Sequence, residues 1–230
     1  MCRHPDQAGL TRKEIVVVAA LGVLALAIAV PWFQHQARAA ARTTTLQNLR
    51  QWGIALNLYL VENDHTLPAA GSSLEDPAAW FNTLPPYLSL PPLSETPPSQ
   101  AGPGTLWTDP AAATPSAASA ASLVTYGMNA WLQPDPASGP WRIYDIEDPA
   151  ATLFLVEAQP GRLRALPPDA AFRHGRPAPH PESHAHALFC DGHVEPIRPA
   201  DASPAAADPQ ANPAPRPTWV PFYQAPTPSP

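Results

Sequence analysis

Five of the eight histidines, His174, His180, His184, His186 and His193, fall within twenty residues, with Glu182, Asp191 and Glu195 beside them. Imidazoles and carboxylates are ligands of zinc and copper, and histidines at i and i+2 point to one face of a strand. His184, His186, His193 and Asp191 are therefore the candidate metal ligands. The competing reading is a structural hairpin preceded by an exposed histidine-rich loop, because Pro177, Pro179 and Pro181 interrupt the segment. Cys190 near His193 offers a thiol, but a lone cysteine inside an apolar strand is ordinarily core. The sequence contains no GxSxG elbow, no phosphate-binding glycine loop and no HExxH. The expectation is a protein that is not an enzyme and has no cofactor, a divalent metal on these histidines being the alternative.

These side chains need a scaffold, and the surrounding segments describe one. LVTYGMNAWL, WRIYDI, ATLFLVEA, HALFCDG and HVEPI are short, rich in β-branched and aromatic residues, and separated by Pro, Gly and Asp. That pattern predicts a small antiparallel sheet. Asp191-Gly192 between two such runs predicts a hairpin with a type I′ turn, which needs positive φ at both central positions. From Asp64 to Ser122 the chain reads as loop, with ordered pieces expected only around Trp80, Phe81, Tyr87 and Trp107. From Pro199 onward Ala, Pro, Asp and Ser predict a disordered tail, in which Trp219, Val220, Phe222 and Tyr223 form one aromatic island expected to stay unattached.

The residues from Ile15 to Phe33, IVVVAALGVLALAIAVPWF, carry no charge and are flanked by Arg12, Lys13 and Glu14 on one side and Arg38 and Arg42 on the other. A helix of this length, at ~1.5 Å per residue, covers roughly 28 Å, close to the hydrocarbon thickness of a bilayer. The run leads into Pro31, Trp32 and Phe33 and not into a small-residue cleavage site, so it reads as a retained anchor. Arg3, Arg12 and Lys13 place the N-terminus in the cytoplasm, opposed by Arg38 and Arg42. Beyond it, Gln34 to Asn63 has no proline, and Leu49, Trp52, Leu56 and Tyr59 recur at three- and four-residue steps. One helix from about Thr11 to Asn63 is predicted, kinked at Pro31, with its outer half offering an apolar stripe to a domain.

Composition limits the rest. Thirty-four prolines in 230 residues, roughly three times the usual share, exclude regular structure over the whole length. Thirteen basic against nineteen acidic residues give no broad electropositive surface, so nucleic acid is not an expected partner. Two cysteines are too few for a disulfide scaffold.

In their order along the chain, these segments carry a resemblance. GLTRKEIVVVAALGVLALAIAVP is similar to the N-terminal signature of prepilins and pseudopilins, in which a short basic leader ends in Gly, an apolar residue follows, and Glu stands fifth in the mature chain. Here these are Gly9, Leu10 and Glu14, and Pro31 falls at the twenty-second mature position, where such helices are often kinked. ARTTTLQNLRQWGIALNLYLVENDHTLP, TYGMNAWL and ALFCDGHVEPI resemble later segments of a large bacterial family of prepilin-like proteins with a motif of His, nine residues and Asp-Gly. The resemblance assigns that motif to His174, Asp191 and Gly192. Sixteen residues separate His174 from Asp191, and GRPAPHPES (175–183) reads as an insertion; ten residues separate His180 from Asp191. Arg12 and Lys13 also depart from the apolar residues usual at their positions. Many relatives carry cysteines near Thr45 and Asp109 that could pair, and both are missing here.

The resemblance implies an α+β, pilin-like fold: a long N-terminal transmembrane helix whose outer half packs on a small antiparallel sheet, with Pro-rich loops. The boundaries expected are 1–9 leader, 10–33 membrane half of the helix, 34–63 outer half, 64–198 globular domain and 199–230 disordered tail. The implied role is a structural subunit of a type II secretion or type IV pilus-like filament. It would be processed at Gly9 and Leu10 by a prepilin peptidase, with other pilin-like subunits and the inner membrane as partners. Its C-terminal domain would be periplasmic or on the cell surface of a bacterium. The alternatives are a single-pass anchored protein that never polymerises and a metal-dependent surface protein.

Overall fold

The structure is a computed structural model that describes residues 12–113, 119–133, 139–176, 180–203 and 217–221, without the side chains of residues 14 and 15. Gly9 and Leu10 lie outside the described residues. The chain divides into two compact units, Met1–Ala40 and Ala41–Pro230.

Helix α1 (Arg12–Glu62) runs without interruption through Pro31, matching the span predicted from the apolar and periodic stretches. In the first unit its apolar side chains, Val16 to Phe33, are exposed. This helix is long and apolar enough to cross a membrane, and none of its most apolar stretch is buried. In the second unit the helix buries Thr45, Asn48, Leu49, Trp52, Ala55, Leu56 and Leu60 at three- and four-residue steps. The stripe is polar at its start and apolar from Leu49 on.

The second unit holds a five-stranded sheet of order β3-β1-β2-β4-β5: β1 (Tyr126–Asn129), β2 (Leu153–Glu157), β3 (Arg164–Ala165), β4 (Ala185–Phe189) and β5 (Val194–Ile197). The sheet is mixed and not purely antiparallel, because β3 pairs with β1 in parallel. WRIYDI forms no strand: Ile143–Asp145 is a 3₁₀ turn whose Asp145 carboxylate accepts from the Arg142 N–H. Alternation along β4 divides the core. Leu188 joins Leu49, Trp52, Leu56, Trp80 and Trp107 in one cluster, while Ala185, Ala187 and Phe189 join Trp219 in a second.

Two expectations are corrected. The stretch after Asp64 is ordered well beyond its four aromatics, through α2 (Trp80–Thr83), α3 (Pro98–Ala101) and 3₁₀ turns at Pro85–Leu88 and Leu93–Glu95. Leu67, Leu84 and Leu93 there are fully buried, and apolar burial of this kind offsets the cost of ordering a proline-rich chain. The tail is also not wholly free. Pro199–Ala202 forms a 3₁₀ turn, and Trp219 is fully buried. Thr218 bridges Thr152 in parallel, the Leu153 N–H donates to the Thr218 carbonyl, and Asn129 Nδ2 donates to the Trp219 carbonyl at 2.6 Å. Phe222 and Tyr223 lie outside the described residues.

The β4–β5 hairpin forms where Asp191-Gly192 predicts it, but with a different turn. Only Gly192 has positive φ (93°), the Gly192 N–H donates to Phe189, and the Phe189 N–H donates to His193. This is the three-residue hairpin with glycine at the left-handed position, not a two-residue type I′ turn.

Candidate functional site

Glu157 ends β2 and His186 is the second residue of β4. Val156 pairs with Ala187 across the two strands, which brings the neighbouring Glu157 and His186 side chains together. After a register shift between Leu153 and Leu155, Leu155 and Glu157 point to the side where Leu188 and His186 also point. His174 is delivered by a separate bridge to His184, each donating its N–H to the other's carbonyl, at 3.0 and 2.9 Å. The insertion 175–183 falls between these bridged histidines in the sequence, Gly175 at its start has φ 79°, and residues 177–179 lie outside the described residues.

The result is a buried polar cluster inside an otherwise apolar domain. Glu157 Oε1 lies 2.8 Å from His186 Nδ1 and 3.1 Å from His174 Nε2, and it accepts the His186 backbone N–H at 3.0 Å. The ring centroids of His174 and His186 are 4.7 Å apart, and His184 lies 5.3 Å from His186 and 5.8 Å from His174. Asp109 extends the cluster: Oδ2 receives Arg173 at 3.3 Å, and Oδ1 receives the Thr45 hydroxyl at 2.8 Å. Asn48 Nδ2 donates to the Tyr126 hydroxyl at 3.4 Å. The polar start of the helical stripe, Thr45 and Asn48, thus covers the polar part of the sheet.

Burial pushes the Glu157 carboxyl up, but hydrogen bonds and charge from His174 and His186 outweigh it and hold it below its ordinary value. Burial likewise disfavours the His174 cation, yet the Glu157 carboxylate raises it on balance. The two side chains meet at 3.1 Å, both buried. His184 is pushed down, chiefly by burial. Burial, then the charge of Glu157, drives the Tyr126 hydroxyl well above its usual range, so it stays neutral.

Oε1 of Glu157 takes every contact, whereas Oε2, equally buried, has no partner. Nε2 of His184 and Nε2 of His186 are also buried and unpartnered among the described residues. An unsatisfied buried polar group costs about 1–3 kcal/mol, so three in one cluster need a physical reason. Glu157, His174 and His186 place one ligand atom each within 4.8 Å of one another, close enough to hold a metal. His184 also lines a surface cleft of about 420 Å³ together with Arg42, Pro181, Glu182, Pro196 and Arg198.

The structure splits the ligand set expected from sequence. His186 and His184 are in the cluster, and His174, expected only as a structural motif residue, joins them. Asp191 and His193 instead form a half-exposed pair of their own, 2.5 Å apart, with the His193 ring stacked on Phe189. His186 pairs with Pro196, three residues from His193, which is about 10 Å along the strand at ~3.3 Å per residue. Glu157 was missed by sequence reasoning. Its one signal is a carboxylate directly after the apolar run LFLV, where a solvent-facing residue need not be charged.

Asp191-Gly192 has a packing role. A Cβ on Gly192 would lie 2.7 Å from Asn57 Nδ2, and one on Gly53 would lie 2.9 Å from the Gly192 carbonyl oxygen. Two glycines therefore let α1 and the hairpin turn approach closely. Cys190, beside the turn, is buried. Pro31 lies inside α1, which continues on both sides of it, and Glu14 lies in its first turn. No protein-family model, no curated protein and no solved structure matches this chain.

Proposed function

We propose that this chain is a pilin-like or pseudopilin-like structural subunit of a type II secretion or type IV pilus-like filament. It is inserted as a single-pass precursor with its N-terminus cytoplasmic, cleaved after Gly9 and methylated at Leu10 by a prepilin peptidase. The observation that carries this reading is α1 itself: one helix has an exposed apolar stretch at one end and a stripe packed in a domain core at the other. A second observation supports it independently. Thr45 and Asp109, the positions near which the resemblance expects a cysteine pair, are both fully buried and hydrogen-bonded at 2.8 Å. A polar contact stands where relatives would carry a covalent one.

In a filament, the carboxylate of Glu14 would neutralise the freed amine of a mature N-terminus within a helical bundle, because an unpaired charge in that setting is expensive. A simple anchor would leave Glu14 at the interface beside Arg12 and Lys13, where exposed pairs contribute about 0–1 kcal/mol. The test uses cross-linkers at Val61, which is 74% exposed on the outer helix, in cells with an active prepilin peptidase. A wild-type ladder that disappears in Glu14→Ala is expected, with insertion and cleavage intact. A ladder unchanged in the mutant would count against the Glu14 mechanism, and no wild-type ladder would favour the non-polymerising anchor.

A further inference from the structure

We infer that Glu157, His174 and His186, with His184 as fourth ligand, form a closed site for one divalent transition ion of the zinc class. As a set of hydrogen bonds the cluster is lopsided. Glu157 Oε1 meets the His174 ring, the His186 ring and the His186 N–H, while Glu157 Oε2, His184 Nε2 and His186 Nε2 are buried with no partner among the described residues. All three are lone-pair donors in the neutral imidazole and ionised carboxylate forms, so the cluster holds more ligating atoms than its hydrogen bonds use.

The other atom of each of these groups is already restrained. His186 Nδ1 is held by Glu157 Oε1 at 2.8 Å, and His184 Nδ1 lies 3.4 Å from the Glu182 carbonyl oxygen. The Glu182 carbonyl on His184 Nδ1 is the kind of partner that orients a metal-binding imidazole through its other nitrogen, whereas Glu157, itself a ligand, would exchange its hydrogen bond to His186 for the shared ion. Ligand atoms of Glu157, His174 and His186 already fall within 4.8 Å of one another. A tetrahedral ion with bonds of about 2.0–2.1 Å separates its ligands by about 3.3 Å, so side-chain adjustment is enough to close the site. Three imidazoles and one carboxylate suit zinc, cobalt, nickel or copper and not calcium or magnesium, which prefer oxygen. With His184 closing the fourth position, no place is left for a reacting water. The ion is therefore structural, and it ties the loop carrying His174 to β2 and β4.

The test uses the full-length protein in detergent, purified on a tag without histidines and stripped with a chelator. Expected are one equivalent of zinc bound per chain, a zinc-dependent rise in melting temperature, and visible d–d absorption with cobalt that zinc abolishes. Magnesium and calcium should do nothing. Glu157→Gln and His186→Ala should lose binding. Because these buried changes can prevent folding, His184→Ala, at the edge of the cleft, is the second variant. It should fold and bind zinc at least about tenfold more weakly, since losing even a supporting partner costs about 10–100-fold. His193→Ala should bind as wild type. Identical melting with and without zinc and no cobalt bands would overturn the site. So would wild-type affinity in His184→Ala, or loss of zinc in His193→Ala, which would place the ion at the exposed hairpin.

Discussion

Cys190 sits at the turn end of β4, fully buried, and burial pushes its thiol well above the ordinary 9.0. The thiol therefore stays protonated, and alkylation of the native protein near pH 8 should be negligible until denaturant opens the domain; rapid labelling without denaturant would contradict the packing. The same burial gives an alkaline limb to stability. Above about pH 9 only the unfolded chain releases this proton, so the unfolded state binds fewer protons and stability falls as pH rises. Cys190→Ala should flatten part of that limb in pH-dependent denaturant titrations, and Tyr126, raised chiefly by burial, contributes to the remainder with Tyr59 and Tyr87, which are also raised. Glu157 shows what single residues conceal. A carboxylate after LFLV reads as the solvated end of a strand, and its environment is set by β4, about thirty positions away in the chain.

At the scale of elements, α1 and the β4–β5 hairpin meet through Gly53 and Gly192. Gly192→Val forces a β-branched residue to φ 93° and against Asn57, and should cost at least about 1–2 kcal/mol of stability in chemical denaturation. Gly53→Ala should also destabilise, since its Cβ meets backbone that cannot yield without moving the turn. The contact between Thr45 and Asp109 makes a second prediction: Thr45→Cys with Asp109→Cys, treated with a thiol oxidant, should form an intramolecular disulfide, read as a mass loss of two hydrogen atoms. Continued presence of both thiols under oxidant would remove the parallel with cysteine-bearing relatives. The long helix and four of the five strands were legible because periodicity and β-branched runs are local signals. Two-residue β3 was not, because it is defined by parallel pairing of Met128 and Asn129 with Arg164 and Ala165. The turn type escaped because Asp-Gly serves two- and three-residue hairpins alike.

For the whole molecule, the exposed apolar residues from Val16 to Phe33 and the well-packed second unit predict a separable behaviour. The full chain should require detergent, whereas a fragment starting at Ala41 should stay monomeric without it in size-exclusion chromatography. Within that unit, Trp219→Ala removes a fully buried indole from the second core and should cost about 3–5 kcal/mol, with faster proteolysis near Pro199–Ala202. The composition of the tail hid this. A single tryptophan among Pro and Ala gives no periodicity, and its burial depends on a face of the sheet completed far upstream. That arrangement also orders the molecule in time. The chain is made from its N-terminus, so the apolar helix and all five strands emerge before the segment that bridges Thr152. Until Trp219 arrives, the indole is missing from the face of the sheet bearing Ala185, Ala187 and Phe189, and the nascent domain must be held unaggregated until that segment has been made.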